Sequence, residues 1–196
     1  MTIVLETYDP QNHDQDKIAT LIFESDVVMN RLVYGEKALE VLGKLLNIPE
    51  SYFVPEYMQC AMLNGELAGV VVSYPTSQMQ AVDQRAGKGF MKAMGFFNFI
   101  KRLSLYTKME KMLGGTIDDD GLYIHTLCVD GDLRGQGIGS EIIRALAQEN
   151  GKMYLYVNAA NEQAIRFYEK NGFRQAFYGE MQYKGQPYAE YLMARD

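Results

Sequence analysis

Cysteine and histidine are scarce, with two of each among 196 residues. Cys60 and Cys128 stand far apart, and only His13 and His125 could join them. That excludes a disulfide framework and leaves no clustered spacing of the kind a zinc site needs. No run approaches the roughly 20 consecutive apolar residues that a membrane-spanning helix requires. The opening MTIVLETYDPQ has no basic region leading into an apolar stretch, so no secretory signal is read and a cytoplasmic location is expected. Positive charge is also short. Lys and Arg number 19 against 25 Asp and Glu, a net charge of −6, so general attraction to nucleic acid or anionic lipid is not the expected mode.

What the chain does have is apolar content. At 47% apolar and 22% charged it can bury a core, which argues against intrinsic disorder, and its length suits one domain. Thr2 to Tyr8 alternates like a strand. Asp14 to Asp26 reads as a helix with Ile18, Leu21 and Ile22 on one face, and Val27 to Leu46 as a second helix. Tyr57–Leu63 and Leu67–Tyr74 read as strands joined through Asn64-Gly65, a hairpin signal because both residues tolerate positive φ. Leu122–Val129 is the next strand, followed by a glycine-rich turn and a helix to about Asn150, with Gly151 as its C-cap. Met153–Val157 is a strand and Glu162–Asn171 a helix stopped by Gly172. Phe173 to Ala194 is a hairpin turning near Lys184-Gly185. The order βααββ(αα)βαβαββ predicts a single mixed α/β domain with no repeat.

Residues 76–120 stand apart. Gly87, Gly89 and Gly95 precede a helical stripe of Phe96, Phe99/Ile100, Leu103, Tyr106, Met109 and Leu113. Residues 81–112 hold seven Lys/Arg and two Asp/Glu, hence +5, which leaves −11 on the remainder. Such a stripe is expected to pack on its own domain or on a second copy of the chain. Contact with a membrane or an acidic partner is the alternative.

The informative segment is Val129 to Leu146, VDGDLRGQGIGSEIIRAL. A strand feeds Arg134-Gly135-Gln136-Gly137-Ile138-Gly139, which opens directly into a helix at Ser140. Glycines let successive N–H groups turn inward, and a helix start adds unpaired donors and a positive dipole end, so the turn suits a pyrophosphate. The Walker pattern needs Gly-Lys-Ser/Thr, which is missing. The dinucleotide pattern GxGxxG fails as well, because its last position is Ser140 counted from Gly135 and Ile142 counted from Gly137. What remains is R-x-x-G-x-G, carried by Arg134, Gly137 and Gly139.

This loop resembles the acyl-CoA pyrophosphate loop of the GCN5-related N-acetyltransferases. One helix later, Leu155-Tyr156-Val157, Asn161, Ala164, Phe167-Tyr168 and Gly172-Phe173 resemble that family's second block. The resemblance covers Tyr123 to Phe173. It implies a single-domain acyl-CoA N-acyltransferase fold with a mixed, splayed sheet, the helical segment at about 76–120 being an insertion. It also implies transfer of an acyl group, acetyl foremost, from acyl-CoA to a primary amine by direct attack in a ternary complex. A non-catalytic acyl-CoA-binding regulatory module is the other reading.

By the same resemblance, acetyl-CoA is the cosubstrate. Gly135, Gln136, Gly137, Ile138, Gly139 and Ser140, with Arg134, would hold its pyrophosphate. Leu127, Cys128 and Val129 would hold the pantetheine arm, pairing through the backbone of Leu127 and Val129. An N–H near Leu127 would polarise the thioester carbonyl. Tyr168 matches the tyrosine beside the leaving sulfur, where its implied role is general acid. Because a phenol near 10 is a weaker acid than a thiol near 8.5, full proton transfer is uphill by roughly 2 kcal/mol, and hydrogen bonding to the thiolate is the alternative form of that role. Its structural alternative is a core aromatic next to Phe167.

Asn161 reads as a helix N-cap, worth about 1 kcal/mol, and by resemblance also as a cofactor contact. Strand alternation puts Tyr123, His125, Leu127 and Val129 on one face unless a bulge intervenes. His125 is then a candidate base by resemblance to the arylalkylamine branch, or a buried histidine bonded within the sheet. Taking a proton directly from an ammonium would cost it about 5 kcal/mol. Glu24, Asp26 and Asp118–Asp120 are further acidic candidates. Cys128 reads otherwise as a small core residue. The expected acceptor is a small-molecule amine or a protein amine, with neither nucleic acid nor membrane as partner; a homodimer is one assembly the sequence leaves open.

Overall fold

The computed structural model describes residues 3–196. The chain runs β1 (Val4–Thr7), α1 (Gln15–Ser25), α2 (Val27–Tyr34), α3 (Ala38–Leu45), β2 (Met58–Leu63), β3 (Glu66–Pro75), α4 (Met79–Met94), α5 (Phe96–Ile100), α6 (Leu103–Met112), β4 (Gly121–Val129), α7 (Ile138–Glu149), β5 (Lys152–Asn158), α8 (Glu162–Lys170), β6 (Arg174–Tyr183) and β7 (Gln186–Arg195). Thr2, where the first strand was expected to begin, lies outside the described residues.

One seven-stranded sheet has the order β1-β2-β3-β4-β5-β7-β6. Its neighbours are antiparallel except β4 and β5, which are parallel. The sheet is the middle layer. On one face Val70, Val72 and Tyr74 of β3 pack under Ile18, Ile22, Leu42 and Leu45 of α1 and α3. On the other, Val71, Leu122, Ile124 and Leu155 pack under Ile138, Ile142 and Ile143 of α7 and Tyr168 of α8. Adjacent residues Val70, Val71 and Val72 thus serve opposite cores, as a strand covered on both faces must. Among the described residues no helix is long and apolar enough to cross a membrane.

The α/β class, the strand order along the chain and both hairpin turns match the sequence expectation. At those turns Asn64 and Gly65 have φ of 54° and 85°, and Lys184 and Gly185 have φ of 51° and 77°. Four local expectations need correction. Val27–Leu46 is two helices, because Gly35 ends α2 at φ 87°, its N–H bonding to the Arg31 carbonyl. The insertion holds three helices rather than two. Gly87 and Gly89 lie inside α4, where Gly89 lets that helix approach the Glu50 carbonyl. Gly151 is not a left-handed cap. Asn150 ends α7 in extended conformation, its side chain donating to the Leu146 carbonyl at 2.8 Å, so the chain enters β5 directly. Finally, the stripe in the insertion is not wholly inward. Tyr106, Met109 and Leu113 pack inside, while Phe96, Ile100 and Leu103 are exposed.

The inner side of α6 joins Leu105 and Met112 to Met181 of β6 and to Met29 and Leu32 of α2. The insertion therefore covers its own domain. Its tightest point is Gly179 on β6, where an added Cβ would run into the backbone carbonyl of Met112. A carbonyl at the end of a packed helix cannot rotate away as a side chain can. Gly179→Ala is therefore expected to cost about 1–3 kcal/mol, the range for overpacking. Urea unfolding monitored by circular dichroism reads this directly, and an unshifted midpoint would show that α6 is not held against β6.

Candidate active site

β4 and β5 run together for only three register pairs, Gly121 with Lys152, Leu122 with Met153 and Tyr123 with Tyr154. β4 continues to Val129 and β5 to Asn158, and the two diverge. A cleft of about 390 Å³ opens in the gap, bounded by β4, the turn before α7, the end of β5, α8 and the end of α1. The divergence has a local cause. Opposite β3, the register jumps from Val72↔Thr126 to Ser73↔Ile124, so His125 is an extra residue in its strand. A bulge of this kind bends the strand and increases its twist.

The bulge also reverses which side chains face which core. Before it, Tyr123 lies on the face of α1–α4 and Leu122 and Ile124 on that of α7. After it, Cys128 lies on the α1–α4 face, and Leu127 and Val129 on the α7–α8 face. The expected single row of Tyr123, His125, Leu127 and Val129 is therefore wrong. His125 falls on the aromatic side, stacked 4.1 Å from Tyr52 and within 6.5 Å of Phe53, Tyr74 and Tyr123. Its Nδ1 lies 2.9 Å from the Thr126 hydroxyl. Desolvation lowers its pKa to about 4, which leaves a neutral ring that is a poor proton acceptor at pH 7.

The edge of β4 is free along the gap. Asp130 N–H bonds to the Ala68 carbonyl, so in the antiparallel ladder Asp130 and Cys128 turn their backbone groups to β3. Leu127 and Val129, one residue out of phase, present theirs to the cleft. Arg134 folds back over this edge, its Nε donating to the Val129 carbonyl at 3.0 Å. Its Nη2 lies 3.8 Å from Cys128 Sγ and 3.8 Å from Glu24 Oε2.

Beyond Arg134 the chain takes φ of 80° at Gly135 and 88° at Gly137, the latter a left-handed N-cap with no side-chain oxygen to occupy the first amides of α7. Those amides open on the cleft at Ile138, Gly139 and Ser140. Gln136 alone among the predicted loop residues does not reach it and is turned to solvent.

On the opposite wall Tyr168 is buried, its ring edge-on to Phe167 and Phe173 at 5.1 and 5.6 Å. Burial, with the Cys128 thiol beside it, pushes its phenol well above the ordinary range, so it remains an O–H donor. The Cys128 thiol is itself pushed up to about 11, chiefly by burial, and is no thiolate at neutral pH. Asn161 lines the cleft and caps α8, accepting from the Ala164 N–H at 3.0 Å.

Of the acidic candidates, Glu24 and Asp26 line the cleft, whereas Asp118 and Asp120 pair with Lys152 on the outside at 2.8 and 3.0 Å. Two groups escaped the sequence reading. Asn158, at the end of β5, lines the cleft and donates to Asp26. Glu190 on β7 is 4% exposed, and burial, reinforced by Asp26, raises its pKa to about 8. The signal for Glu190 was a charge placed between Tyr188 and Leu192 on the inward face of a terminal strand.

A family model for an acetyltransferase (GNAT) domain matches residues 101–175. The peptidyl-lysine N-acetyltransferase YjaB of Escherichia coli K12 is 34% identical over 68 residues, which are 35% of this chain and 46% of that protein, so the match spans about half of the relative's length. Among solved structures, an N-acetyltransferase from Staphylococcus aureus Mu50 superposes with TM-score 0.65 at 18% identity, covering 96% of this chain and 99% of that one. A GNAT family acetyltransferase from Elizabethkingia anophelis, solved with acetyl-CoA bound, gives TM-score 0.52 at 12% identity, covering 99% and 98%. The chain has the fold of these solved acetyltransferases, and its residues 101–175 match the GNAT domain model.

The buried state of His125 has a measurable consequence. Its pKa is near 4 when folded, against about 6.5 for an unfolded histidine. Between those values the unfolded chain binds the extra proton, so this contribution to stability is complete above pH 6.5 and is lost as pH falls towards 4. Histidine ring resonances followed by NMR should show one midpoint near 4. His125→Asn should flatten the loss of urea stability between pH 6.5 and 4.5.

Proposed function

We propose that the chain transfers an acetyl group from acetyl-CoA to a primary amine, by direct attack while both substrates are bound. The observation that carries this is the cleft itself. It runs from the open amides of α7, along the free edge of β4, to Tyr168, all within or beside the matched domain. Its fit to the cosubstrate rests on three features. The side chain that would otherwise cap α7 is missing at Gly137, the space beside its Cα is open apart from its own chain neighbours, and the edge of β4 beyond Tyr123 has no strand partner on this side.

In this reading the pyrophosphate sits on the amides of Ile138, Gly139 and Ser140, at the positive end of α7. The pantetheine arm lies along Leu127 and Val129 and takes the place of a sheet neighbour. An amide at the edge of β4 near Leu127 polarises the thioester carbonyl. The amine nitrogen attacks that carbon, the C–S bond breaks, and the sulfur receives a hydrogen bond from Tyr168. Cys128 takes no part as a nucleophile, since its thiol stays protonated. The named activity of YjaB and the −11 carried outside residues 81–112 both favour a cationic acceptor of the lysine-amine class, as a free small molecule or on a protein.

The test is release of free thiol from acetyl-CoA with a panel of primary amines, alongside calorimetric binding of acetyl-CoA. Wild type should bind acetyl-CoA and turn over at least one amine. A hydrogen bond to a charged sulfur is worth about 1.5–3 kcal/mol, so Tyr168→Phe should lower kcat about 10- to 150-fold with the KM for acetyl-CoA within about twofold. Tight binding with no turnover on any amine would instead favour a non-catalytic acyl-CoA-binding module.

A further inference from the structure

The reaction needs a group that removes a proton from the incoming ammonium, and neither His125 nor Tyr168 is suited to it. Glu190 is otherwise unexplained. Its Cα is in register with Asn158 on β5 and with Gly179 on β6. Directly opposed residues share a face, so Glu190 and Asn158 project together from the side that carries Tyr154, Tyr156 and Leu192.

Glu190 is 4% exposed, and its Oε1 has no hydrogen-bond partner. The groups that face it are Tyr156 and Asn158 from β5, Tyr123 from β4 and Asp26 from the α1–α2 junction, while β6 offers only Gly179 opposite. None of these is a cation. Asp26, Asn158 and Tyr156 lie on the cleft wall, so Glu190 stands directly behind it. Asp26 is fixed there by accepting the Met29 N–H at 2.9 Å and the Asn158 side chain. A buried carboxyl oxygen left unpaired beside a second carboxyl is costly, and a cation entering from the cleft would satisfy both.

We propose that Asp26, Asn158 and Glu190 form the acceptor-amine site of this cleft, with Glu190 taking the proton from the bound ammonium. This rests on the acetyl-transfer reading above. In the free protein Glu190, raised to about 8, is largely protonated at pH 7. Entry of an ammonium favours the carboxylate and displaces that proton to solvent. The ammonium then passes one proton to Glu190, which frees the nitrogen lone pair to attack the thioester carbon. As the C–S bond breaks, the second nitrogen proton passes to the sulfur. The products are the amide, the free thiol and the proton held on Glu190.

An ordinary ammonium near 10.4 gives its proton to a carboxylate whose acid is near 8 at a disadvantage of roughly 250-fold. For His125, near 4, the disadvantage would exceed a millionfold.

Two measurements test this on the full chain. In wild type labelled with ¹³C at the glutamate carboxyls, one resonance should titrate near 8, vanish in Glu190→Gln, and move to lower pH when n-butylamine is added. No glutamate titrating far above the usual value of about 4.3, or a high-titrating one indifferent to butylamine, overturns the proposal. In the thiol-release assay Glu190→Gln, checked for folding by its melting curve, should lose at least tenfold in kcat/KM for the amine, with the KM for acetyl-CoA unchanged within twofold. The rising limb of the pH profile near 8 should shift to the pKa of the free amine, and a limb that stays in place also overturns it. If wild type neither binds acetyl-CoA nor turns over any amine, the acetyl-transfer reading falls alone, because the carboxyl titration still decides whether the amine site exists.

Discussion

Two parallel strands that pair at Tyr123 and Tyr154 and then separate leave backbone donors and acceptors without partners, and in a sheet interior such groups are expensive. The separation is held in place by a bulge that bends β4 at His125 and by the turn before α7, which sits across the mouth of the gap. The free edge of β4, the open amides of α7, Tyr168 and Asp26 all border the space this creates, and Glu190 stands directly behind its wall. Were the bulge removed, β4 could continue alongside β5 and the ladder would close. The chain gives up sheet hydrogen bonds here, and a ligand that supplies them regains that energy on binding.

The two ends of the gap have opposite electrostatic character. At one end, amides and a helix dipole favour an anion. At the other, Asp26 and Glu190 share a patch with no cation among the groups facing them. Net charge therefore says little about the cleft. A −6 chain can hold a polyphosphate on backbone dipoles alone, because the interaction is local and partly shielded from solvent. In the proposed reaction the same arrangement would orient two substrates of opposite charge head to head along one groove.

Much of this was legible in the sequence because it depends on backbone requirements that residue types announce. The glycine pattern from Gly135 to Gly139 marks the turn into α7, and Asn64-Gly65 and Lys184-Gly185 mark the hairpins. Alternation in β4 predicted inward residues correctly only up to His125, since a period-2 pattern carries no mark for one inserted residue. Gly35 was lost inside a stretch whose helical spacing of apolar residues reads as one continuous helix. Glu190 was missed for another reason. Its behaviour depends on Asn158 and Asp26, which are 32 and 164 positions away in sequence, and on a roof built by residues 103–115.

That roof gives the insertion a role that its charge alone does not suggest. The Tyr156 hydroxyl donates to the Leu113 carbonyl at 2.7 Å and accepts from the Gly115 N–H at 3.1 Å, so the end of the insertion is tied to the strand beside Glu190. Met112 seats against Gly179, the register partner of Glu190 on β6. Water is thereby kept from the far side of the carboxyl, and desolvation is the main reason its pKa stands near 8. Without this cover Glu190 would face solvent and ionise as an ordinary carboxylate, too weak a base to deprotonate an amine. The insertion thus acts on the cleft from behind, through packing, while five of its seven basic residues, Lys88, Lys92, Lys101, Lys108 and Lys111, are exposed on the outer surface.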